Sequence, residues 1–267
     1  MFYPIQPKNA VLSSAYTRML RSLQRGAGAG VRRNTSLIAR AMAQQTSEAS
    51  PQPVKQMCVK GMALNQGGSL ARGDCPFCAR AALHLHELGA SEWEEHFIDL
   101  ADKPDWFLSI SPEGKVPVAI LSSGDTVSDS AAIVQRVEQE VGRSLPQPNE
   151  AQQQLEEGFL PAFVNYLKGN QDDSALIDKL SQITDYLNNR SDGPFLAGSH
   201  PGASDCSLAP KLDAMRIALH AHKGWSIPEH LSGTIRSYLD AWKARDSWKR
   251  SQYSDQAVIE GWRKHLP

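Results

Sequence analysis

Arg72-Gly73-Asp74-Cys75-Pro76-Phe77-Cys78 decides how this chain is read. A run with strand character, Gln56-Met57-Cys58-Val59-Lys60, stands before it. Ala79-Arg80-Ala81-Ala82-Leu83-His84-Leu85-His86-Glu87-Leu88 follows, rich in helix formers and ended by Gly89. Proline is favoured at the first helical position, where its missing N–H has no intrahelical partner to lose. Cys75 therefore falls at the N-cap, facing unpaired backbone N–H groups and the positive end of the helix dipole. Such a setting lowers a thiol pKa from ~8.5 into roughly the 3.5–7.5 range, so the spacing predicts a reactive thiolate. Cys78 lies one turn further along nearly the same face. Cys-x-x-Cys can also be half of a zinc site, but no second cysteine pair or histidine pair follows at finger spacing.

With 41% hydrophobic and 21% charged residues, the 267-residue chain has an ordinary globular composition and room for one large or two small domains. Its four cysteines (Cys58, Cys75, Cys78 and Cys206) are too few for a disulfide scaffold, which favours a reducing compartment. No apolar run reaches the roughly 18 residues that a membrane span needs.

The net charge of −1 hides an asymmetry. Lys8, Arg18, Arg21, Arg25, Arg32, Arg33 and Arg40 precede the first acid, Glu48. An Arg-rich, Ser-bearing, acid-free N-terminus predicts an organellar transit peptide, with Arg40-Ala41-Met42-Ala43 as the cleavage region. The Ser/Pro/Gln-rich stretch 46–55 then reads as a spacer, and residues 1–55 as disordered. A nucleic-acid-binding arm would cluster its cations, whereas these are spread among Leu, Ala and Gly, so no nucleic-acid partner is expected.

Residues 56–142 alternate strand and helix signals. Trp93 to Asp99 reads as a second strand and Val116 to Leu121 as a third. Ser122-Ser123-Gly124-Asp125 is a turn leading to a hairpin partner. Ser128 to Val141 reads as a helix with Ile133, Val134 and Val137 facing the core. This order, with Cys-x-x-Cys after the first strand, is a thioredoxin-like pattern. In such a fold Pro117 is expected to be cis beside the cysteine. Leu145-Pro146-Gln147-Pro148 breaks the chain. Residues 150–263 then carry an all-helical pattern, with helices around Phe159–Leu167, Leu176–Leu187, Ser207–Leu219 and Ile235–Trp248. The fold class is thus an α/β thioredoxin-like domain followed by an all-α domain.

Several motifs, in order, resemble the plant dehydroascorbate reductases of the glutathione transferase superfamily. They are Gly73-Asp74-Cys75-Pro76-Phe77, Lys103-Pro104-Asp105-Trp106-Phe107-Leu108 and Ile110-Ser111-Pro112-Glu113-Gly114-Lys115-Val116-Pro117-Val118. Gly193-Pro194-Phe195, Ser207-Leu208-Ala209-Pro210-Lys211-Leu212, Gly224-Trp225-Ser226-Ile227-Pro228 and Ile259-Glu260-Gly261-Trp262 extend the match to about residues 57–263. The resemblance implies a glutathione transferase-like architecture and glutathione-dependent reduction of dehydroascorbate. Cys75 corresponds to the nucleophile, Lys60 and Asp74 to residues beside dehydroascorbate, and Lys103, Val116, Asp129 and Ser130 to the glutathione site. Glutathione enters as co-substrate; no metal, flavin or nucleotide is implied. A monomer that makes no stable membrane insertion is expected, and the plant-like motifs place the transit peptide's destination in the chloroplast ahead of the mitochondrion.

Each role has a plainer counterpart. Lys60 can be a solvated strand residue, and Asp129-Ser130 only a helix cap. His84 and His86 read as a polar helix face, Trp225 as packing, and Cys58 and Cys206 as small core residues. Two departures from the family stand out. Relatives usually carry serine where this chain has Cys78, making Cys78 a candidate resolving thiol. Gly202 stands where related transferases cap the helix containing Asp205 with Ser or Thr. The rival readings are a glutaredoxin-like or omega-type thioltransferase, and a protein like the intracellular chloride channels that share Cys-Pro-Phe.

Overall fold

In the computed structural model, residues 52–63, 69–90 and 92–266 are described. The expected transit peptide and its cleavage region lie outside these residues. Of the expected spacer only residues 52–55 are described, and Val54 and Lys55 already belong to the first strand.

Strand β1 (Val54–Ala63) is the centre of a five-stranded sheet. Its Met57, Cys58 and Val59 are fully buried, the continuous apolar run of a strand covered on both faces. β1 pairs antiparallel with β2 (Leu70–Arg72) and parallel with β3 (Glu94–Asp99), Cys58 lying opposite His96. It also pairs antiparallel with β4 (Val118–Leu121), which pairs with β5 (Thr126–Ser128) across the expected turn. Helix α1 (Pro76–Glu87) begins four residues after β2 ends, with Cys75 as its N-cap. Three residues of its buried face, Cys78, Ala81 and Leu85, join Ile133, Val134 and Val137 of α3 (Ser130–Val141). A short helix α2 (Asp105–Ile110), set between β3 and β4, buries Phe107 and leaves Trp106 and Leu108 exposed.

The remainder is helical. α4 (Glu150–Glu156) is held by a reciprocal cap: Asn149 Oδ1 accepts from Gln152 N at 2.9 Å, and Gln152 Oε1 accepts from Asn149 N at 3.1 Å. α5 (Phe159–Leu167) and α6 (Ser174–Asn188) bury Phe159, Phe163, Leu176, Leu180 and Ile183 against the 21-residue α7 (Ala203–Lys223). Each such fully buried side chain is worth about 1.5–3 kcal/mol, so this cluster outweighs helix propensity in fixing the fold. Ala79 and Leu83 of α1 join the same cluster, which ties the sheet part to the helical part.

The expected helix Ile235–Trp248 is two helices, α8 (Glu229–Lys243) and α9 (Asp246–Ser251). The break at Ala244–Arg245 has a physical cause. Arg245 grips Glu87 at the end of α1 through Nε at 2.7 Å and Nη2 at 2.6 Å, and Ser247 Oγ donates to the same carboxylate. A final helix, α10 (Asp255–Arg263), is capped by Ser254.

Candidate active site

Cys75 has extended backbone angles (φ −75°, ψ 110°) and the following proline opens the helix, as the sequence predicts. Its side chain is partly exposed, whereas Cys58, Cys78 and Cys206 are buried. Electrostatics separates the four thiols in the same way. Burial pushes Cys58 up to about 11 and raises Cys78 and Cys206 as well. Cys75 alone is lowered: the Cys78 thiol donates to it, the backbone N–H groups of Cys78 and Phe77 add to that, and Lys60 contributes least. The helix start therefore acts as expected, but the largest single contribution comes from the second cysteine.

A serine at position 78 would offer the same kind of donor. Cys78→Ser is accordingly expected to keep Cys75 acidic. Cys78→Ala is expected to shift the pH midpoint of iodoacetamide alkylation upward and to slow alkylation at neutral pH roughly three- to tenfold, the worth of one hydrogen bond to a charged sulfur. Alkylation rate followed against pH in the three proteins checks this.

Lys60 is not a solvated strand residue. It is buried at 9% exposure and ion-paired with Asp74, itself only 4% exposed. Gly73 N donates to Lys60 O at 2.7 Å, which lays the segment before the cysteine across β1. α10 closes over this pair. A Cβ on Gly261 would run into the Asp74 carboxylate, so only glycine lets the helix approach so closely. Gly261 belongs to a motif quoted above for resemblance alone; its contact with a residue 187 positions away leaves no local signal.

A cleft of about 600 Å3 opens in front of Cys75. Its walls include Phe77, Val116, Pro117, Asp129 and Ser130. The Val116–Pro117 bond is cis, and neither peptide group of Val116 makes a backbone–backbone hydrogen bond among the described residues. Ser130 is buried at the first position of α3, while Asp129 holds a positive φ of 75° and caps the helix. Asp129 Oδ1 accepts from Ala131 N at 2.8 Å and Ala132 N at 3.3 Å. The plain capping role is therefore real, and it leaves Oδ2 with no hydrogen bond among the described residues. Lys103 stands at the edge of the cleft, its stem against Gly114, another cleft residue. Phe77, 40% exposed beside the thiol, was given no role by the sequence.

His84 is not on a polar face but 1% exposed, its Nε2 2.8 Å from Glu138 Oε1, and burial lowers its pKa. His86 stacks on Trp93 with ring centroids 4.5 Å apart, and burial brings it down to about 4. Trp225 packs on the helical core, with Nε1 donating to Asp173 at 2.8 Å. Among the described residues no group of three His, Cys, Asp or Glu side chains is placed to hold a metal ion.

Residues 74–140 match the family model described as the glutathione S-transferase N-terminal domain. Over 211 residues the chain is 39% identical to "Glutathione S-transferase DHAR2" of Arabidopsis thaliana, covering 77% of this chain and 95% of that protein. It is 31% identical to the crystal structure of Chlamydomonas reinhardtii dehydroascorbate reductase, with a TM-score of 0.69, covering 80% of this chain and all of that one. The chain belongs to the dehydroascorbate reductase family. Within it, "Glutathione S-transferase DHAR3, chloroplastic" of Arabidopsis thaliana is 37% identical, covering 72% of this chain and 74% of that protein. The architecture is accordingly that of glutathione transferases, a sheet domain with an all-helical partner. The C. elegans CLIC homologue EXC-4 aligns with a TM-score of 0.68 over 84% of this chain and 87% of its own, at 18% identity, which speaks to the fold alone. No helix among the described residues is long and apolar enough to cross a membrane.

Proposed function

We propose that this protein reduces dehydroascorbate to ascorbate at the expense of two glutathiones, with Cys75 as the nucleophile. The observation that carries the reading is the lone acidified, accessible thiol among four cysteines, placed in a cleft with Val116, Asp129 and Ser130. The Cys75 thiolate adds to an electrophilic carbonyl of dehydroascorbate beside Lys60 and Asp74. Water then attacks the sulfur, the C–S electron pair leaves with ascorbate, and a proton completes the product, so that Cys75 ends as sulfenic acid. Glutathione condenses with the sulfenic acid, releasing water and leaving a mixed disulfide. A second glutathione thiolate attacks the glutathione sulfur, restoring the Cys75 thiolate and forming glutathione disulfide.

The tripeptide backbone pairs with Val116 as an added strand would. Its γ-glutamyl carboxylate meets the hydroxyl and backbone N–H of Ser130, its ammonium meets the free oxygen of Asp129, and Lys103 takes the glycyl carboxylate. Ser130→Ala is expected to raise KM for glutathione about tenfold, the worth of one hydrogen bond to a charged group, with kcat and KM for dehydroascorbate within about threefold of wild type. Steady-state kinetics with each substrate varied checks it; equal KM values would remove Ser130 from the glutathione site.

Cys78 makes the thioltransferase reading the nearest rival, because a second thiol in contact with Cys75 can resolve a mixed disulfide. In our reading glutathione resolves the intermediate, so Cys78→Ser keeps most of the activity. Residues 56–142 and 150–263 act as glutathione-binding and helical domains of a monomer. Residues 1–55 direct the chain to the chloroplast, as the name of the chloroplastic relative supports. A fluorescent reporter fused to residues 1–55 is expected in chloroplasts, with the leader removed; a diffuse cytosolic signal with the leader intact would contradict it.

A further inference from the structure

A second cavity, of about 460 Å3, lies far along the chain from the thiol cleft and shares no lining residue with it. It opens between the C-terminal half of α7 and α8, under the loop Trp225-Ser226-Ile227, and its size falls in the range of small-molecule sites. The buried side chains of Ile235 and Leu239 give it an apolar floor. Arg216 comes from α7, and Arg236, Asp240 and Lys243 from α8.

The charges around it are unevenly paired. Asp213 takes Arg216 Nη2 at 2.9 Å and lies 3.7 Å from Lys243 Nζ. Arg216 Nε is buried without a hydrogen-bond partner. Arg236 makes no ion pair or side-chain hydrogen bond among the described residues. Three cations thus stand against the two carboxylates of Asp213 and Asp240. Trp225 spends its only donor on Asp173, so toward the cavity its indole has an apolar surface alone to offer.

We propose that this cavity binds a small aromatic carboxylate, its anion held by Arg236 and Arg216 and its flat ring lying against Trp225, Ile227 and Leu239. Guanidinium groups favour a planar carboxylate, and the surplus of one positive charge suits a monoanion. A phosphate monoester, carrying nearly two negative charges, would exceed that surplus of one positive charge and is disfavoured. The site lies outside the thiol cleft, so occupancy leaves the glutathione site open.

Isothermal titration of the full chain with 2-naphthoate, against the uncharged isostere 2-naphthamide, tests this. One site with Kd below about 1 mM is expected for the carboxylate, and binding at least about tenfold weaker for the amide. Arg236→Gln keeps the stem of an exposed side chain, and its folding is confirmed by an unchanged melting curve. It is expected to weaken 2-naphthoate at least about fivefold, whereas Cys75→Ser or saturating glutathione changes nothing. Absence of binding at millimolar 2-naphthoate, equal binding of the amide, or wild-type affinity in Arg236→Gln overturns the proposal. So does displacement of 2-naphthoate by glutathione, which would place the ligand in the thiol cleft.

Discussion

Cys75→Ser is expected to lower glutathione-dependent ascorbate formation at least about a hundredfold while leaving the fold intact. A serine hydroxyl is not ionised near neutral pH and forms neither a sulfenic acid nor a mixed disulfide. No other thiol can take over: Cys58, Cys78 and Cys206 are buried and their thiols are all pushed up. A serine hydroxyl at this N-cap can accept from the same helix-opening N–H groups, so the loss should be catalytic rather than structural. An unchanged circular dichroism spectrum and melting temperature beside the lost rate would establish this. Retention of more than about a tenth of the wild-type rate would remove Cys75 as the nucleophile.

Asp205→Ala is expected to be the most damaging single change to stability, at about 3–5 kcal/mol, the usual cost of removing one partner from a buried charged network. Asp205 is fully buried, and its carboxylate accepts from Leu196 N at 2.7 Å, Ala197 N at 3.0 Å and Gly202 N at 2.9 Å. Tyr238 Oη donates to it at 3.1 Å. One side chain thus satisfies three backbone groups of the Phe195–Gly202 loop and closes the start of α7, where Gly202 has no side chain to cap with. Truncation orphans all four donors in a space water enters poorly. A fall of roughly 6–20 °C in Tm is expected, at 2–4 °C per kcal/mol for a chain of this size. Asp205→Asn keeps one acceptor oxygen and should lose about half as much. A drop under about 2 °C in the alanine variant would show that the loop finds other partners.

The contrast between these two residues shows what the sequence carries. Cys75 was legible because everything that makes it reactive is local: a proline after it, a strand before it and helix formers beyond. The hairpin around Gly124 and the buried stripe of Ile133 and Val137 were readable for the same reason, since turn chemistry and periodicity act over a few residues. Asp205 was visible only as part of a capping position, and its grip on Leu196, Ala197 and Tyr238 is a tertiary fact. His84, a lone histidine among Ala and Leu, carries no local hint of Glu138, 54 residues on. The boundary between α8 and α9 leaves no local signal, because apolar spacing runs through Arg245 and the contact with Glu87 that breaks the helix comes from another element. α2 and α9, at six residues each, are too short for periodicity to register. Around the thiol, the Lys60–Asp74 pair and the cover provided by Gly261 likewise exist only once α10 has returned to the sheet.

On the proposed function, this cleft joins dehydroascorbate to glutathione through a single acidic thiol. Ascorbate formation from dehydroascorbate, followed by ultraviolet absorbance with and without glutathione in the full chain and in its Cys75→Ser variant, distinguishes the outcomes. A rate that saturates in both substrates, requires glutathione and disappears with Cys75 is expected. No ascorbate above the uncatalysed background, alongside rapid glutathione-dependent cleavage of mixed disulfides, would contradict the claim and make the protein a thioltransferase.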